Sequence, residues 1–254
     1  MTMIAQEWLL TLLLVFCRIG GCFLLLPGIS SERIPPQVRL FLSLAVSISI
    51  CPLVLDDLRP ELSTNAGVLL PLVGSETVMG LLLGFLIRIF FLALDFAAVA
   101  AANYIGYGSV FAHSIETSDS APPLSMIMTL SATTLFFVLD QHLRMIELLE
   151  GSYVTFPPAR AFNLEPTLRT LVAALGAAFR LALQVSAPLL VFSLTVNWFL
   201  GLLNKMVPQI QIYYVSTPFL LFGGLFVLYF SAGDIFLNFG TNVAANVSGL
   251  LARD

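Results

Sequence analysis

Residues 67–111 read GVLLPLVGSETVMGLLLGFLIRIFFLALDFAAVAAANYIGYGSVF. One helical crossing of a lipid bilayer takes about 20 mostly apolar residues, and this run is far longer than that. We therefore expect two helices or one bent pair here, with the change of direction between Arg88 and Asp95. Apolar runs of this length are typical of transmembrane helices rather than of buried helices in soluble domains. The stretch predicts a membrane protein.

The composition of the whole chain agrees with that prediction. Of its 254 residues, 58% are hydrophobic and 10% are charged, whereas soluble domains contain about 25% charged residues. Such a chain has too few polar side chains to cover the surface of a soluble fold. Its net charge of −4 is small and its 11 basic residues are scattered. Both features disfavour nucleic acid or an anionic membrane surface as the partner.

Further apolar runs predict an all-α, polytopic membrane protein of six to seven apolar helices in one domain, residues 1–254. A short loop, residues 29–37, separates the first two runs; it contains Arg33, and Arg39 follows directly after it. This basic loop predicts an N-terminus outside the cell and a loop in the cytoplasm. The later runs are residues 124–139, continuing as an amphipathic stretch to 150, residues 167–203 with a kink at Pro188, and residues 212–237 before a tail of small residues.

Six ionisable residues interrupt the apolar runs, namely Arg18, Glu76, Arg88, Asp95, Arg180 and Asp234. Each would cost several kcal/mol if it faced lipid, so each is expected to face protein, water or a helix end. They could form the ion pathway of a secondary transporter, or they could tie helices or subunits together. A carrier usually places carboxylates beside breaks in the backbone at membrane depth. Glu76 and Asp95 have no second carboxylate nearby in sequence, which favours the assembly hypothesis.

Small and charged residues recur every four positions and form three ridges. The first ridge holds a G-x-x-x-G pair, which lets a second backbone approach closely. Ordinary packing within the chain is an equally good explanation for any one ridge, whereas three ridges suggest more helix contact than a monomer needs. The ridges are Glu76, Gly80, Gly84 and Arg88; Ala98, Ala102 and Gly106; and Gly176, Arg180, Gln184 and Pro188.

The sequence offers little support for catalysis. Its two histidines, His113 and His142, are not part of a hydrolase, zinc or nucleotide-binding motif. Ser109 or Ser114 could stand beside His113, but nothing in the sequence orients the histidine as a base. The three cysteines lie in apolar runs and are expected to act as small hydrophobic residues. We therefore predict no enzyme activity, no cofactor and no metal site.

Short motifs occur in a fixed order along nearly the whole chain. They are RIG at 18–20, PG at 27–28, IP at 34–35, VR at 38–39, Glu76 with its glycines, NYIGYGSVF at 103–111, His142, SY at 152–153, Pro157, GLLNK at 201–205, PQI at 208–210 and Pro218. This ordered set resembles the FliR/SctT family of type III secretion, and its opening motifs look closer to the flagellar members than to the injectisome members.

The resemblance implies helices arranged as helical hairpins in an export gate of the bacterial inner membrane, at the flagellar basal body. It implies FliP-like and FliQ-like subunits as partners, FlhB-like and FlhA-like export components, and unfolded protein substrates. The resemblance also implies a pore plug loop from about residue 106 to 122, in which we single out Gly106, Gly108, Phe111, Ser114 and Pro122. We assign subunit packing to Arg18, Glu76, Gly80, Gly84, Arg88, Arg180, Asn204, Lys205, Pro208 and Gln209.

Overall fold

A computed structural model describes residues 2–31, 34–58, 66–106, 122–156, 164–206 and 212–251. These residues form seven α-helices and contain no strand. The helices are α1 (Thr2–Leu25), α2 (Pro36–Leu58), α3 (Ala66–Tyr104), α4 (Pro123–Val138), α5 (Gln141–Thr155), α6 (Leu164–Met206) and α7 (Ile212–Leu251).

Five of these helices are long and apolar enough to cross a membrane, and the described residues give six spans if the bent pair α4 and α5 counts as one. The prediction of an all-α polytopic membrane protein with six to seven helices is therefore confirmed. The three longest helices have 39, 43 and 40 residues. At about 1.5 Å of rise per residue, each is roughly twice as long as the hydrocarbon core is thick.

The expected break in the third apolar run is wrong, because α3 is one uninterrupted helix. The charged side chains that suggested the break have polar partners instead. Arg88 donates a hydrogen bond from Nη1 to the hydroxyl of Ser30 at 3.0 Å, and Asp95 accepts one from the hydroxyl of Thr129 at 3.2 Å. Both charges therefore have polar partners in other segments, and the backbone passes through both positions as a continuous helix.

Helices α4 and α5 meet at a sharp bend of 65°. Asp140 lies at the bend with φ of 54°, a left-handed conformation that residues other than glycine seldom adopt. Its backbone carbonyl accepts hydrogen bonds from the amides of Leu143 and Arg144, which begin α5. The predicted passage from a short apolar run into an amphipathic stretch therefore corresponds to two helices with different directions.

Helix α7 extends further than expected. Pro188 lies inside α6, and the kink predicted there stays a prediction. The tail predicted after residue 237 is helical to Leu251, because Phe239, Val243 and Val247 continue a buried face at helical spacing. Asn246 adds a hydrogen bond to the carbonyl of Leu86 at 3.2 Å. The small residues after 237 therefore pack as part of the helix.

The chain divides into two compact units. One unit contains residues 1–89, 136–175 and 243–254, and in it α2 packs against both α1 and α5. The other unit contains residues 90–135 and 176–242, in which Phe91 and Phe239 meet edge to face at 5.0 Å between ring centroids. A single domain over residues 1–254 stays a prediction.

Candidate functional site

The first candidate site is built around Arg18, a buried arginine in the C-terminal half of α1. Its guanidinium forms a two-point ion pair with Glu76 of α3, with Nε 2.6 Å from one carboxylate oxygen and Nη2 2.9 Å from the other. Both side chains are 1% exposed. Two-point pairing of this kind is the strongest geometry available to a guanidinium and a carboxylate.

The C-terminal end of α5 completes the surroundings of the same arginine. Nη1 donates to the hydroxyl of Ser152 at 2.9 Å, and Nη2 donates to the backbone carbonyl of Phe156 at 3.1 Å. The ring of Tyr153 covers the guanidinium face, with its centroid 3.8 Å from Cζ. Four of the five N–H groups of the guanidinium are therefore satisfied, and its flat face is in a cation–π contact. We call Arg18, Glu76, Ser152, Tyr153 and Phe156 the arginine cluster.

The glycine ridge next to Glu76 explains how α1 and α3 come close enough for the ion pair. A Cβ added at Gly80 would overlap the carbonyl oxygen of Arg18, and one at Gly84 would lie 2.5 Å from the carbonyl oxygen of Cys22. In the opposite direction, a Cβ at Gly21 would lie 2.7 Å from the carbonyl oxygen of Thr77. We call Gly21, Gly80 and Gly84 the glycine seam. It brings the two backbones into contact, as small residues do between membrane helices.

The arginine cluster therefore joins α1, α3 and α5 within one chain. Because Glu76 is neutralised by Arg18 and removed from solvent, the structure does not present it as a free carboxylate for ion transport. Removing one member of such a pair typically costs about 3–5 kcal/mol, since the other charge stays buried without compensation. The assigned role of Arg18, Glu76, Gly80 and Gly84 in packing between subunits stays a prediction.

The second candidate site is the end of α3, immediately before the predicted plug loop. Gly106 follows α3 with φ of 76°, a conformation that suits glycine. The side chain of Ile105 fills the space where a Cβ of Gly224 in α7 would lie. Leu220, one turn earlier in α7, comes within 3.4 Å of a Cβ added at Gly106. The last described residues before the loop are therefore held against α7.

The other residues predicted for subunit packing or for the plug loop lie outside these two sites. Arg88 is bonded to Ser30, and Arg180, Asn204 and Lys205 are exposed. Pro122 precedes α4, where its carbonyl accepts hydrogen bonds from the backbone amides at positions 125 and 126. Gly108, Phe111, Ser114, Pro208 and Gln209 lie outside the described residues.

Several residues of these sites were not predicted from the sequence. They include Gly21, Gly223 and Gly224, and a Cβ at Gly223 would also meet the ring of Phe192. The adjacent glycines at 20–21 and 223–224 were the indication of close helix contact that the sequence offered. Within the described residues, no group of three or more His, Cys, Asp or Glu side chains could hold a metal ion.

Comparisons with known proteins agree with the motifs quoted from the sequence. Residues 9–245 match a family described as bacterial export proteins, family 1. A flagellar biosynthetic protein FliR from Caulobacter vibrioides is 30% identical over 224 residues, which cover 87% of this chain and 88% of that relative.

Two further relatives show the same breadth of similarity. FliR from Escherichia coli is 29% identical over 229 residues, covering 87% of this chain and 85% of the relative. The Yop proteins translocation protein T from Yersinia pestis is 26% identical over 216 residues, covering 84% of this chain and 82% of the relative. The resemblance to the FliR/SctT family is confirmed, since the family match spans almost the whole sequence. This multi-pass membrane chain belongs to the bacterial export proteins, family 1.

Proposed function

We propose that this chain is a non-enzymatic core subunit of the flagellar type III protein export gate. It lies in the bacterial inner membrane at the flagellar basal body and completes a helical pore with FliP-like and FliQ-like subunits. FlhB-like and FlhA-like components act beside it, and unfolded proteins pass through the pore. The observation that carries the proposal is the export-family match over residues 9–245.

Within that gate, the chain contributes a plug loop from Gly106 to Pro122. The support comes from the two ends of the loop. Ile105 is seated on Gly224 directly before it, and α4 begins at Pro123 directly after it. Gly106 supplies a left-handed backbone conformation directly after the end of α3, which is typical of a helix terminus. In this proposal Phe111 fills the constriction, Gly108 supplies further permissive backbone, and Ser114 belongs to the same loop.

A plug of this kind suits a pore that must pass polypeptide and yet hold back ions when idle. An apolar constriction excludes water from the narrowest section and so blocks ion flow. Opening then requires the displacement of one short loop, while the helices that surround it stay packed. The arginine cluster supports this division of roles, because it ties α1, α3 and α5 together with buried polar contacts.

An injectisome gate is the second candidate, since relatives named as Yop proteins translocation protein T are 26% identical. The flagellar relative at 30% identity favours the flagellar gate. A stand-alone transporter is less well supported, because the buried carboxylate of Glu76 is already paired with Arg18.

Gentle detergent extraction followed by native mass measurement tests the proposal. We expect one large particle that contains this chain together with FliP-like and FliQ-like chains. Deletion of the chain should stop flagellin export, and the wild-type chain should restore it. A monodisperse chain that runs alone, or a deletion strain that still exports flagellin, would contradict the proposal.

A further inference from the structure

Helix α6 carries an exposed face that combines a charge, a glycine and apolar side chains. Arg180, Gln184 and Gly176 follow one another at four-residue spacing and are all exposed. Phe179 and Leu183 stand beside this row and are 64% and 52% exposed. We call these five residues the Arg180 face. Ala178, Leu181 and Val185 are buried on the opposite side of the same helix, so the Arg180 face points away from the rest of its unit.

The charge on this face has no counterpart among the described residues. The ion pair between described residues joins Arg18 to Glu76 in the arginine cluster, and Arg180 takes no part in it. A Cβ added at Gly176 would meet no described atom within 4 Å. The glycine seam differs on this point, because Gly80 and Gly84 are in contact with α1.

Two placements of the bilayer along α6 each leave part of this half of the helix unsatisfied. The helix has 43 residues and is therefore about 64 Å long, against a hydrocarbon core of about 30 Å. If its first half lies in hydrocarbon, Arg180 is a charge in lipid. If Arg180 lies at the headgroups and the second half of α6 crosses the bilayer, the preceding turns stand in water with Val172, 66% exposed, and Leu168 uncovered.

We infer that the Arg180 face binds an apolar membrane helix of another chain that presents an Asp or Glu carboxylate to Arg180. Charge complementarity carries the choice of partner, and the chain itself contains an example of the arrangement. There, Glu76 with its glycine row receives α1 and pairs with Arg18. The Arg180 face likewise has a glycine four positions from its charged residue, but that residue is positive instead of negative. This inference rests on the proposed function and deepens it by stating the chemistry of one partner helix.

Site-specific photo-crosslinking in the assembled, full-length complex tests the inference. A benzophenone amino acid is placed at Phe179 or Leu183, and the crosslinked peptide is sequenced after extraction. We expect a peptide from an apolar membrane helix of a different chain, with an Asp or Glu within about one helical turn of the crosslink. Crosslinks to lipid alone, to a second copy of this chain, or to a helix without a carboxylate would overturn it.

Two variants separate the role of the charge from that of the shape. Arg180→Leu should reduce the crosslink at least fivefold, and exchange of the partner carboxylate for Arg in an Arg180→Glu background should restore it. Gly176→Leu should also reduce it by keeping the partner helix away. Arg144→Leu, which removes an exposed arginine from α5, is the matched control and should leave the yield unchanged.

An unchanged crosslink in Arg180→Leu would overturn the inference, provided that the variant accumulates in the membrane at the wild-type level. The same experiment keeps the two proposals apart. A carboxylate-bearing partner helix that belongs to a chain outside the export apparatus would support the inference and contradict the proposed function.

Discussion

Gly80 lies so close to Arg18 that a methyl group on its Cα would overlap the arginine's carbonyl oxygen. The contact joins the backbones of α1 and α3 one turn away from the ion pair between Arg18 and Glu76. Close backbone contact and buried charge therefore depend on each other. The glycine permits the approach, and the approach brings the guanidinium and the carboxylate to hydrogen-bonding distance.

Gly80→Ala should destabilise the chain by about 1–3 kcal/mol or more, because backbone atoms must move to admit the methyl group. Thermal unfolding of the detergent-extracted chain measures the effect. Gly74→Ala, in the same helix, is the matched control, since a Cβ there meets no described atom within 4 Å. That control should be neutral or stabilising by up to about 1 kcal/mol. Equal behaviour of the two variants would show that the seam is not under steric constraint.

Arg18→Met or Glu76→Leu alone should lower the free energy of unfolding by about 3–5 kcal/mol, because each leaves a buried charge unpaired. The double variant Arg18→Met/Glu76→Leu should be more stable than either single variant, since no uncompensated charge remains. Chemical unfolding of the three variants in detergent gives the coupling energy. A double variant whose loss equals the sum of the two single losses would show that the charges do not interact.

Tyr153→Phe should leave the stability of the isolated chain unchanged or raise it slightly. The hydroxyl of Tyr153 is buried without a hydrogen-bond partner among the described residues, and an unsatisfied buried hydroxyl costs about 1–3 kcal/mol. Tyr153→Leu should be destabilising instead, because it removes the ring that covers Arg18. Thermal unfolding distinguishes the two. A clear loss of stability in Tyr153→Phe would show that the hydroxyl of Tyr153 has a hydrogen-bond partner in solution.

Gly224→Val should raise the ion conductance of the proposed export gate. The larger side chain displaces Ile105 from α7 and so loosens the residues that lead into the predicted plug. Conductance of the gate, expressed in cells or reconstituted in a bilayer, measures the leak. Gly233→Val in the same helix is the control, since a Cβ at Gly233 meets no described atom within 4 Å. If both variants had the wild-type conductance, the contact of Ile105 with α7 would not contribute to sealing of the pore.

Deletion of residues 108–111 should also raise conductance, and by more than the displacement of Ile105 does. The deletion removes the apolar segment proposed to exclude water from the constriction. Export of flagellin is followed in parallel, to verify that the gate still assembles. An assembled gate with the wild-type conductance would remove the plug from the proposed function.

The length and apolarity of the runs were enough to predict an all-α membrane protein, because a bilayer imposes both on any chain that crosses it. The predicted break in α3 near Arg88 and Asp95 was wrong. The polar partners of these charges, Ser30 and Thr129, come from distant parts of the chain, so the local sequence did not indicate that a continuous helix could hold them. The spacing of Glu76 and Gly80 likewise indicated close helix contact without identifying α1 as the helix that fills it.

The order in which the arginine cluster is synthesised has a consequence for insertion into the membrane. Arg18 precedes its carboxylate partner by 58 residues and its serine partner by 134. At a translation rate of roughly 5–20 residues per second, Glu76 appears about 3–12 s after Arg18, and Ser152 about 7–27 s after it. During that interval α1 carries an arginine that costs about 2.5–3.5 kcal/mol at the centre of a bilayer. The nascent first helix is therefore expected to stay beside the insertion machinery until α3 and α5 arrive to enclose its charge.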